Sequence, residues 1–415
     1  MARHFSDWIT GFLEYTEGLE SPEIFRRWAG YAAIAATLQR RVRVPLKRRL
    51  LYPNTYTLLV GPPGSGKTTA IIAVKEFLRE VKSVKLAPQS ITKEKFYVLF
   101  ARAVTTEMMG ENETGGFSEM SRQTPYAVFA DEFGTFLPGG DLEFLQDLGD
   151  IYDCPEPMWE NTTKTSGEDR IELPCLTICG GTTQKFIAEG MTPKSFGMGL
   201  VSRIIFVYCD QLVNAPLDAP LLDKSSAERG YLVDDLTAIS RLSGNFLMHS
   251  EAFLFASAWY NNGMKPVPTD PRFAEYCSRR ITHLFKLAMA VSASRRDDMT
   301  ILESDIEEAL TQLLLVERTM GKSLDLLSKN PLHEQINEAY KFILLKYRQL
   351  SGKPVLESQL RYHLYRETPP QYIPAVIETL VSAGFVSILP NTVAPNRQFI
   401  PVKPEELAQK MQGVS

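Results

Sequence analysis

Cysteine is scarce in this chain: Cys154, Cys175, Cys179, Cys209 and Cys277 are all that 415 residues hold. The number is odd, no two form a C-x-x-C pair, and no histidine stands at metal-ligand spacing from them. A disulfide framework and a zinc site are thereby disfavoured, and buried thiols in a reducing compartment are the expectation. Long apolar runs are missing as well. The longest near the start, Trp28 to Leu38, falls well short of the roughly 20 residues that a membrane-spanning helix needs. The opening residues, Met1 to Trp8, lack the continuous apolar region of a secretory signal, so a cytoplasmic address and no membrane partner are expected. Nor is there an excess of positive charge. A formal net charge of -4 excludes a wholly basic nucleic-acid coat, so any contact with DNA has to come from local clusters of Lys and Arg.

What is present is a globular composition, 44% hydrophobic and 23% charged, without repeats or low-complexity tracts. The chain is too long for one core, since single cores stop growing at roughly 250 to 300 residues. Pattern changes suggest four segments: a helical leader and basic strand over 1–50, an α/β core over 51–225, a helical lid over 226–330 and a last domain over 331–415. Two amphipathic helices are expected in the leader, broken at Ser21-Pro22. Arg40 to Arg49 then carries six cationic side chains and no acid, alternating like a strand whose hairpin partner would begin near Tyr56. The core alternates helices with strands at 56–60, 83–87, 126–131, 175–181 and 203–208, which predicts a parallel five-stranded sheet. Thr105 to Pro125 reads as a long loop. After Asp210 the pattern is helical, at 226–240, 250–262, 271–295 and 303–328. From Pro331 three helices precede a strand pair around Pro390 to Arg397, the outline of a winged helix.

The decisive motif is Gly61-Pro62-Pro63-Gly64-Ser65-Gly66-Lys67-Thr68, a full G-x-x-x-x-G-K-[ST] between the apolar run Tyr56 to Val60 and a helical stretch from Thr69. Glycines let backbone N–H groups face a phosphate, and the following helix presents its positive end. Lys67 would reach the outer phosphates, and Thr68 would supply an oxygen to Mg²⁺. A second motif, Tyr126-Ala-Val-Phe-Ala-Asp131-Glu132, is an apolar strand ending in two acids. Asp131 would hold Mg²⁺ through water, and Glu132 would polarise the attacking water. ATP and Mg²⁺ are the cofactors these motifs imply.

With one extra strand between the two motifs, the chain resembles the AAA+ proteins, the additional-strand class of P-loop enzymes. The resemblance implies a water-orienting sensor at the end of the strand Cys175 to Thr183, with Thr183 the first choice and Thr182 and Gln184 beside it. Gly199-Leu-Val-Ser202-Arg203 is similar to the Ser-Arg-Phe segment of archaeal and eukaryotic replicative helicases, with Ile204 in place of Phe. That similarity implies Arg203 as an arginine finger reaching a neighbouring subunit's ATP, hence an oligomer; the alternative is an ion pair with an internal carboxylate. Ser278-Arg279-Arg280 resembles the start of the sensor-2 helix, whose Arg contacts the γ-phosphate. The two arginines differ by about 100° around a helix, and Arg280 is preferred.

Between the acids and the sensor strand, Met158 to Pro174 reads as a β-hairpin around a Ser-Gly turn. Related ring helicases carry a hairpin here, which implies Lys164 as a DNA-tracking cation with Arg170 nearby. The alternative is a surface hairpin without contacts. Arg40, Arg41 and Arg43 are further candidates for DNA contact, against a solvated charge run. In the last domain the helix from Gln371 offers mainly Gln371, Glu378, Thr379 and Ser382, so base reading by it is doubtful. Arg361, His363, Arg366 and Arg397 could still meet phosphates, or the module could serve assembly.

Leu51-Tyr-Pro-Asn-Thr-Tyr, the phosphate loop, Ala87-Pro-Gln-Ser-Ile-Thr-Lys, Asp131-Glu-Phe-Gly and Gly180-Gly-Thr-Thr-Gln together resemble the primase-helicase-like ATPases of bacteriophages and mobile elements. The resemblance implies a ring-shaped helicase of the replicative type, expected as a homo-hexamer on a DNA single strand or fork in a bacterial host cell, with other replication proteins as further partners. An ATP-switched loader or remodeller that does not translocate is the alternative, and an ATPase acting on protein substrates a third.

Overall fold

The computed structural model describes residues 3–402 apart from 47, 109–119, 137–140, 164–166, 191–198, 215–225, 329–331, 367, 391 and 395. The chain is mixed α/β and falls into two compact units, Met1–Leu326 and Leu327–Ser415. The first runs α1 (Trp8–Tyr15), α2 (Glu23–Leu38), β1 (Val42–Leu46), β2 (Arg49–Leu51), β3 (Tyr56–Val60), α3 (Lys67–Leu78), α4 (Lys93–Arg102), β4 (Thr105–Met108) and β5 (Met120–Ala130). It continues with α5 (Phe133–Phe136), α6 (Leu142–Tyr152), β6 (Met158–Thr163), β7 (Gly167–Glu172), β8 (Pro174–Thr182), α7 (Gln184–Gly190) and β9 (Ile204–Tyr208). Four longer helices follow, α8 (Ala227–Ile239), α9 (Ser250–Asn261), α10 (Ala274–Arg295) and α11 (Glu303–Met320), with short strands β10 (Gly244–Asn245), β11 (Leu247–Met248) and β12 (Thr300–Ile301) among them.

The central sheet has the order β4-β5-β8-β3-β9. Strands β5, β8, β3 and β9 are mutually parallel, while β4 runs antiparallel on the edge, so the expected all-parallel sheet is corrected to a mixed one. At 83–87 the chain makes one parallel bridge instead of a strand, Leu86 to Ala127. It is held by the Ala127 N–H donating to Lys85 O at 2.9 Å and the Ala87 N–H donating to Ala127 O at 2.8 Å. Pro88 comes next, and the chain leaves β5 after this single bridge. Farther along the same edge, Thr105–Met108 pairs with Met120–Gln123. The loop expected over Thr105 to Pro125 is therefore largely ladder at both ends, and its middle lies outside the described residues.

Two expectations for the leader are corrected as well. Thirteen of the sixteen residues of α2 are buried, because its Ala-rich sequence lets it pack on several elements at once rather than along one stripe. Burying large side chains such as Trp28 and Phe25 contributes roughly 1.5–3 kcal/mol each. The basic strand β1 pairs antiparallel with β2 and parallel with β10, not with the strand at Tyr56, which sits in the middle of the central sheet.

Among its described residues the second unit has three α-helices, α12 (His333–Gln349), α13 (Glu357–Leu364) and α14 (Ile373–Ser382). Its three short strands, β13 (Val355–Leu356), β14 (Val386–Ile388) and β15 (Gln398–Pro401), form an antiparallel sheet in the order β13-β15-β14. Ile343, Leu360, Ile377 and Phe399 are at the centre of its own core. Among the described residues no helix is long and apolar enough to cross a membrane.

Candidate nucleotide site

Parallel strands bring their carboxyl ends to one edge of a sheet, the edge where open α/β sheets gather ligands. Here Val60 of β3 lies opposite Thr182 of β8, and Ala130 of β5 opposite Gly180. Gly61 to Gly66 leaves β3 at this edge and turns into α3, whose first residue is Lys67. Gly66 has φ +79°, and a Cβ on it would lie 2.2 Å from the Glu20 carbonyl oxygen and 2.5 Å from Ser21 Cα. Only glycine allows both that backbone and the close approach of the α1–α2 turn. Pro63 and Gly64 are exposed, Pro62 half-buried, and Ser65 buried. Lys67 is buried, and its ammonium donates to Gly61 O (2.9 Å), Pro62 O (2.7 Å) and Ser65 Oγ (3.1 Å). Burial lowers its pKa, and the charge of Glu132 opposes that shift. Thr68 is exposed and its Oγ1 donates to Asp131 O at 3.4 Å; Thr69 is half-buried in the same turn.

The two acids follow β5. Asp131 accepts from Lys75 Nζ at 2.9 Å and from Gln89 Nε2 at 2.5 Å. Glu132 is exposed; partial burial raises its pKa, opposed by Lys67. A Cβ on Gly181 would stand 2.7 Å from Asp131 O and 3.4 Å from Lys67 Cβ, so the missing side chain is what lets the acidic turn approach the lysine. Lys75, Gln89 and Gly181 belong to this group although no motif assigned them a role. The visible signal for Lys75 was a cation in a helix otherwise buried at Ala70, Ile71, Val74 and Phe77. Of the sensor candidates, Thr183 Oγ1 accepts from the Phe186 N–H at 3.2 Å and so starts α7. Gln184 donates to Lys322 O at 2.5 Å, and the Thr182 hydroxyl is buried with no partner among the described residues.

Arg203 lies elsewhere. It precedes β9, whose five residues run from Ile204, opposite Tyr56, to Tyr208, opposite Val60. At about 3.3 Å per residue the arginine stands roughly 15 Å from the phosphate loop, at the amino edge of the sheet. There its Nη2 meets Asp153 Oδ2 at 2.6 Å and its Nη1 donates to Gly199 O at 2.9 Å. Arg279 reaches the same carboxylate at 3.1 Å. Burial works against the Asp153 charge, but Arg203 and then Arg279 outweigh it and hold the carboxyl below its ordinary pKa. His283 of α10 fixes this segment from the other side, with Nε2 3.0 Å from Ser202 O and Nδ1 3.3 Å from Tyr152 Oη. Burial pushes its pKa down to about 4, so the ring is neutral at ordinary pH.

Arg280, preferred above as the γ-phosphate sensor, is fully buried. It is committed to Glu317 (Nε to Oε1 2.7 Å, Nη2 to Oε2 2.5 Å), to the Met264 and Pro266 carbonyls and to the face of Trp259. That preference is corrected: the guanidinium is a buried structural ion pair, and Arg279 is the accessible member of the two.

The candidate DNA contacts divide. Arg40 is buried, donating to Cys154 O (3.0 Å), Pro174 O (2.9 Å) and Glu156 (2.6 Å), with its guanidinium 4.2 Å from the centre of the Tyr52 ring. It ties the leader to the core and does not face a ligand, which overturns its assignment to DNA. Arg41 donates to Thr37 O at 2.7 Å and Arg43 to Asn245 Oδ1 at 2.8 Å. β6 and β7 form the hairpin between the acids and β8, with Thr163 opposite Gly167. Arg170 pairs across it with Glu160 at 3.2 Å, and Lys164 lies outside the described residues. Cys154, Cys175 and Cys179 are buried, and all five cysteines are free thiols. No protein-family model matches the chain, and no curated protein matches it in sequence.

Proposed function

We propose that the chain is an AAA+ motor that hydrolyses Mg-ATP, works as a homo-oligomeric ring of the hexameric type, and moves along DNA as a helicase. One observation carries this reading: Lys67, Thr68, Asp131 and Glu132 meet at the carboxyl edge of the sheet, with Thr68 Oγ1 3.4 Å from Asp131 O and Gly181 leaving room between them. The residues fit a magnesium triphosphate. Gly64 has open space where a side chain would stand, leaving room for phosphates, and Lys67 would exchange its loop carbonyls for the outer phosphates. Thr68 would ligate Mg²⁺ directly and Asp131 through water, steadied by Lys75 and Gln89. The ion would neutralise charge on the phosphoryl oxygens. Glu132, its proton affinity raised by partial burial, would take the proton of the attacking water.

The sheet order supports the additional-strand class, because β8 stands between the loop strand β3 and the acid strand β5. The position of Arg203 supports a shared site: too far to serve its own loop, it would serve a neighbour's, with Arg279 beside it. The second unit, three helices and a small antiparallel sheet, is read as a winged helix.

The test is ATP turnover with mixing. Glu132→Gln should bind ATP and hydrolyse it at least about 100-fold more slowly. Arg203→Ala should be inactive alone and regain turnover when mixed with Lys67→Ala, since each supplies the half-site the other lacks; no regain would sink the shared site. A forked duplex unwound by the purified protein with ATP favours the helicase over the loader.

A further inference from the structure

The second unit differs from the first in charge. Between residues 327 and 415 stand ten Lys or Arg against seven Glu and no Asp, a net +3, whereas residues 1–326 carry -7. Part of that charge surrounds a groove between α12 and α13 with a volume of about 420 Å³. Such a volume lies within the range of small-ligand sites, roughly 300–1,000 Å³. Phe342 and Lys346 line it from α12, and Gln359, Tyr362, His363 and Arg366 from α13 and the turn after it, with no carboxylate among the lining residues.

Its aromatic groups are arranged as platforms. His363 stacks on Phe342 with ring centres 4.2 Å apart and planes at 12°, and both residues line the groove. Tyr362 is 71% exposed, and Arg366 lies with its guanidinium 5.6 Å from the centre of that ring. Tyr365, one turn of helix further, is 68% exposed. Two large exposed tyrosines so close together are not explained by folding, because neither contributes to the core of this unit. Cations near the last turns of α12 and α13 are favourable to the helix ends in themselves, but that accounts for Lys346 and not for the rings. The surface where a winged helix would read a duplex offers less. Arg397 is bonded to Glu357 (2.7 Å) and Glu378 (2.9 Å), and α14 offers exposed Glu378 and Ser382 with a half-buried Thr379.

We propose that the α12–α13 groove binds single-stranded nucleic acid, with bases stacking on Tyr362 and the His363–Phe342 pair in the groove and on exposed Tyr365 outside its lining, while Lys346 and Arg366 meet the phosphates. Rings supply sequence-tolerant stacking, and Lys346 and Arg366, in a lining that holds no carboxylate, supply the backbone attraction. Gln359 is placed to bond a base edge. The site belongs to the second unit alone, so it operates whether or not the first unit hydrolyses ATP.

The full chain, without nucleotide, is titrated into fluorescein-labelled oligothymidylate, oligouridylate and a blunt DNA duplex, with anisotropy as the readout. Both single strands should bind more tightly than the duplex. Tyr362→Ala and Tyr365→Ala should each weaken binding about tenfold, and Tyr362→Phe should retain it, since stacking needs the ring and not the hydroxyl. Lys346→Ala and Arg366→Ala should each reduce the slope of log affinity against log salt by about 0.7. Ultraviolet crosslinking to a bromouracil-substituted strand should map to the peptide containing Tyr362. The proposal is overturned if the protein binds no oligonucleotide, prefers the duplex, binds equally well after the alanine substitutions, or crosslinks only within residues 1–326. ATP turnover of the tyrosine variants in the absence of DNA should equal that of the parent, which keeps this result separate from failure of the nucleotide site.

Discussion

The two edges of the central sheet hold their cations in opposite ways. At the carboxyl edge Lys67 bonds to two carbonyls and a hydroxyl of its own loop, and Glu132 faces solvent. At the amino edge Arg203 and Arg279 close on Asp153, and nearby in the sequence Arg280 is sealed against Glu317. Neutral acceptors release a cation at little cost, whereas separating a guanidinium from a buried carboxylate is expensive. The first edge is thus ready for an anionic ligand in a single chain. The second has its charges paired internally, Arg280 with a buried carboxylate and Arg203 with a half-exposed one, and on the proposed shared site a neighbour would compete with Asp153 for Arg203.

The sharpest way to break this contrast is Lys67→Ala. It should abolish nucleotide binding and lower turnover by at least about 100-fold, with little change in the urea midpoint. A protein that unfolds instead would mean that Lys67 is structural, like its counterparts at the other edge. Arg280→Ala should do the reverse, costing about 3–5 kcal/mol in urea unfolding because Glu317 is left buried and unpaired. A change below about 1 kcal/mol would reopen a ligand role for Arg280.

The next effect is one of pH. His283 is neutral when folded, with its pKa at about 4 against 6.5 for the free side chain. Below pH 6.5 the unfolded chain takes up a proton that the folded one refuses, so stability falls as the pH drops from about 6.5 toward 4, by up to about 1.4 kcal/mol per pH unit. His283→Asn, which keeps a donor for Ser202 O, should flatten that part of the stability curve; an unchanged slope would assign the acid sensitivity elsewhere. The smallest effect should come from Asp153→Asn. It should cost less than about 1 kcal/mol, since Asp153 is 39% exposed. It should also lower the protein concentration at which turnover becomes half-maximal, because Arg203 no longer has an internal partner. An unaltered concentration dependence would remove Asp153 as a competitor for the finger.

The carboxyl edge was legible in the sequence because its chemistry is contiguous: Gly61 to Thr68 and Asp131-Glu132 are each one short run with fixed spacing. The amino edge was not. Asp153 carries no signal beyond following a helix, and nothing local distinguishes Arg279, which stays accessible, from Arg280, which turns inward by about 100°. Arg40 shows the same limit: in a run of cations, sequence does not say which one finds buried carbonyls and a tyrosine face. Strand placement failed where an edge decided the outcome. Ser83 to Ala87 has strand-like composition but makes a single bridge to β5, and Thr105–Met108 pairs farther along the same edge. In α2 the helical spacing of Phe25, Trp28, Tyr31, Ala32 and Ala35 reads as one apolar stripe, yet the remaining small residues are buried too, which spacing alone does not show.

The contact between Gly66 and the Glu20–Ser21 turn bears on how the protein can be trimmed. A boundary drawn at residue 50 on pattern alone would cut away the backing against which the phosphate loop is moulded. If the chain hydrolyses ATP as proposed, the smallest version expected to do so therefore retains both leading helices, and an insertion at the Glu20–Ser21 turn should be felt in nucleotide handling before it is felt anywhere else.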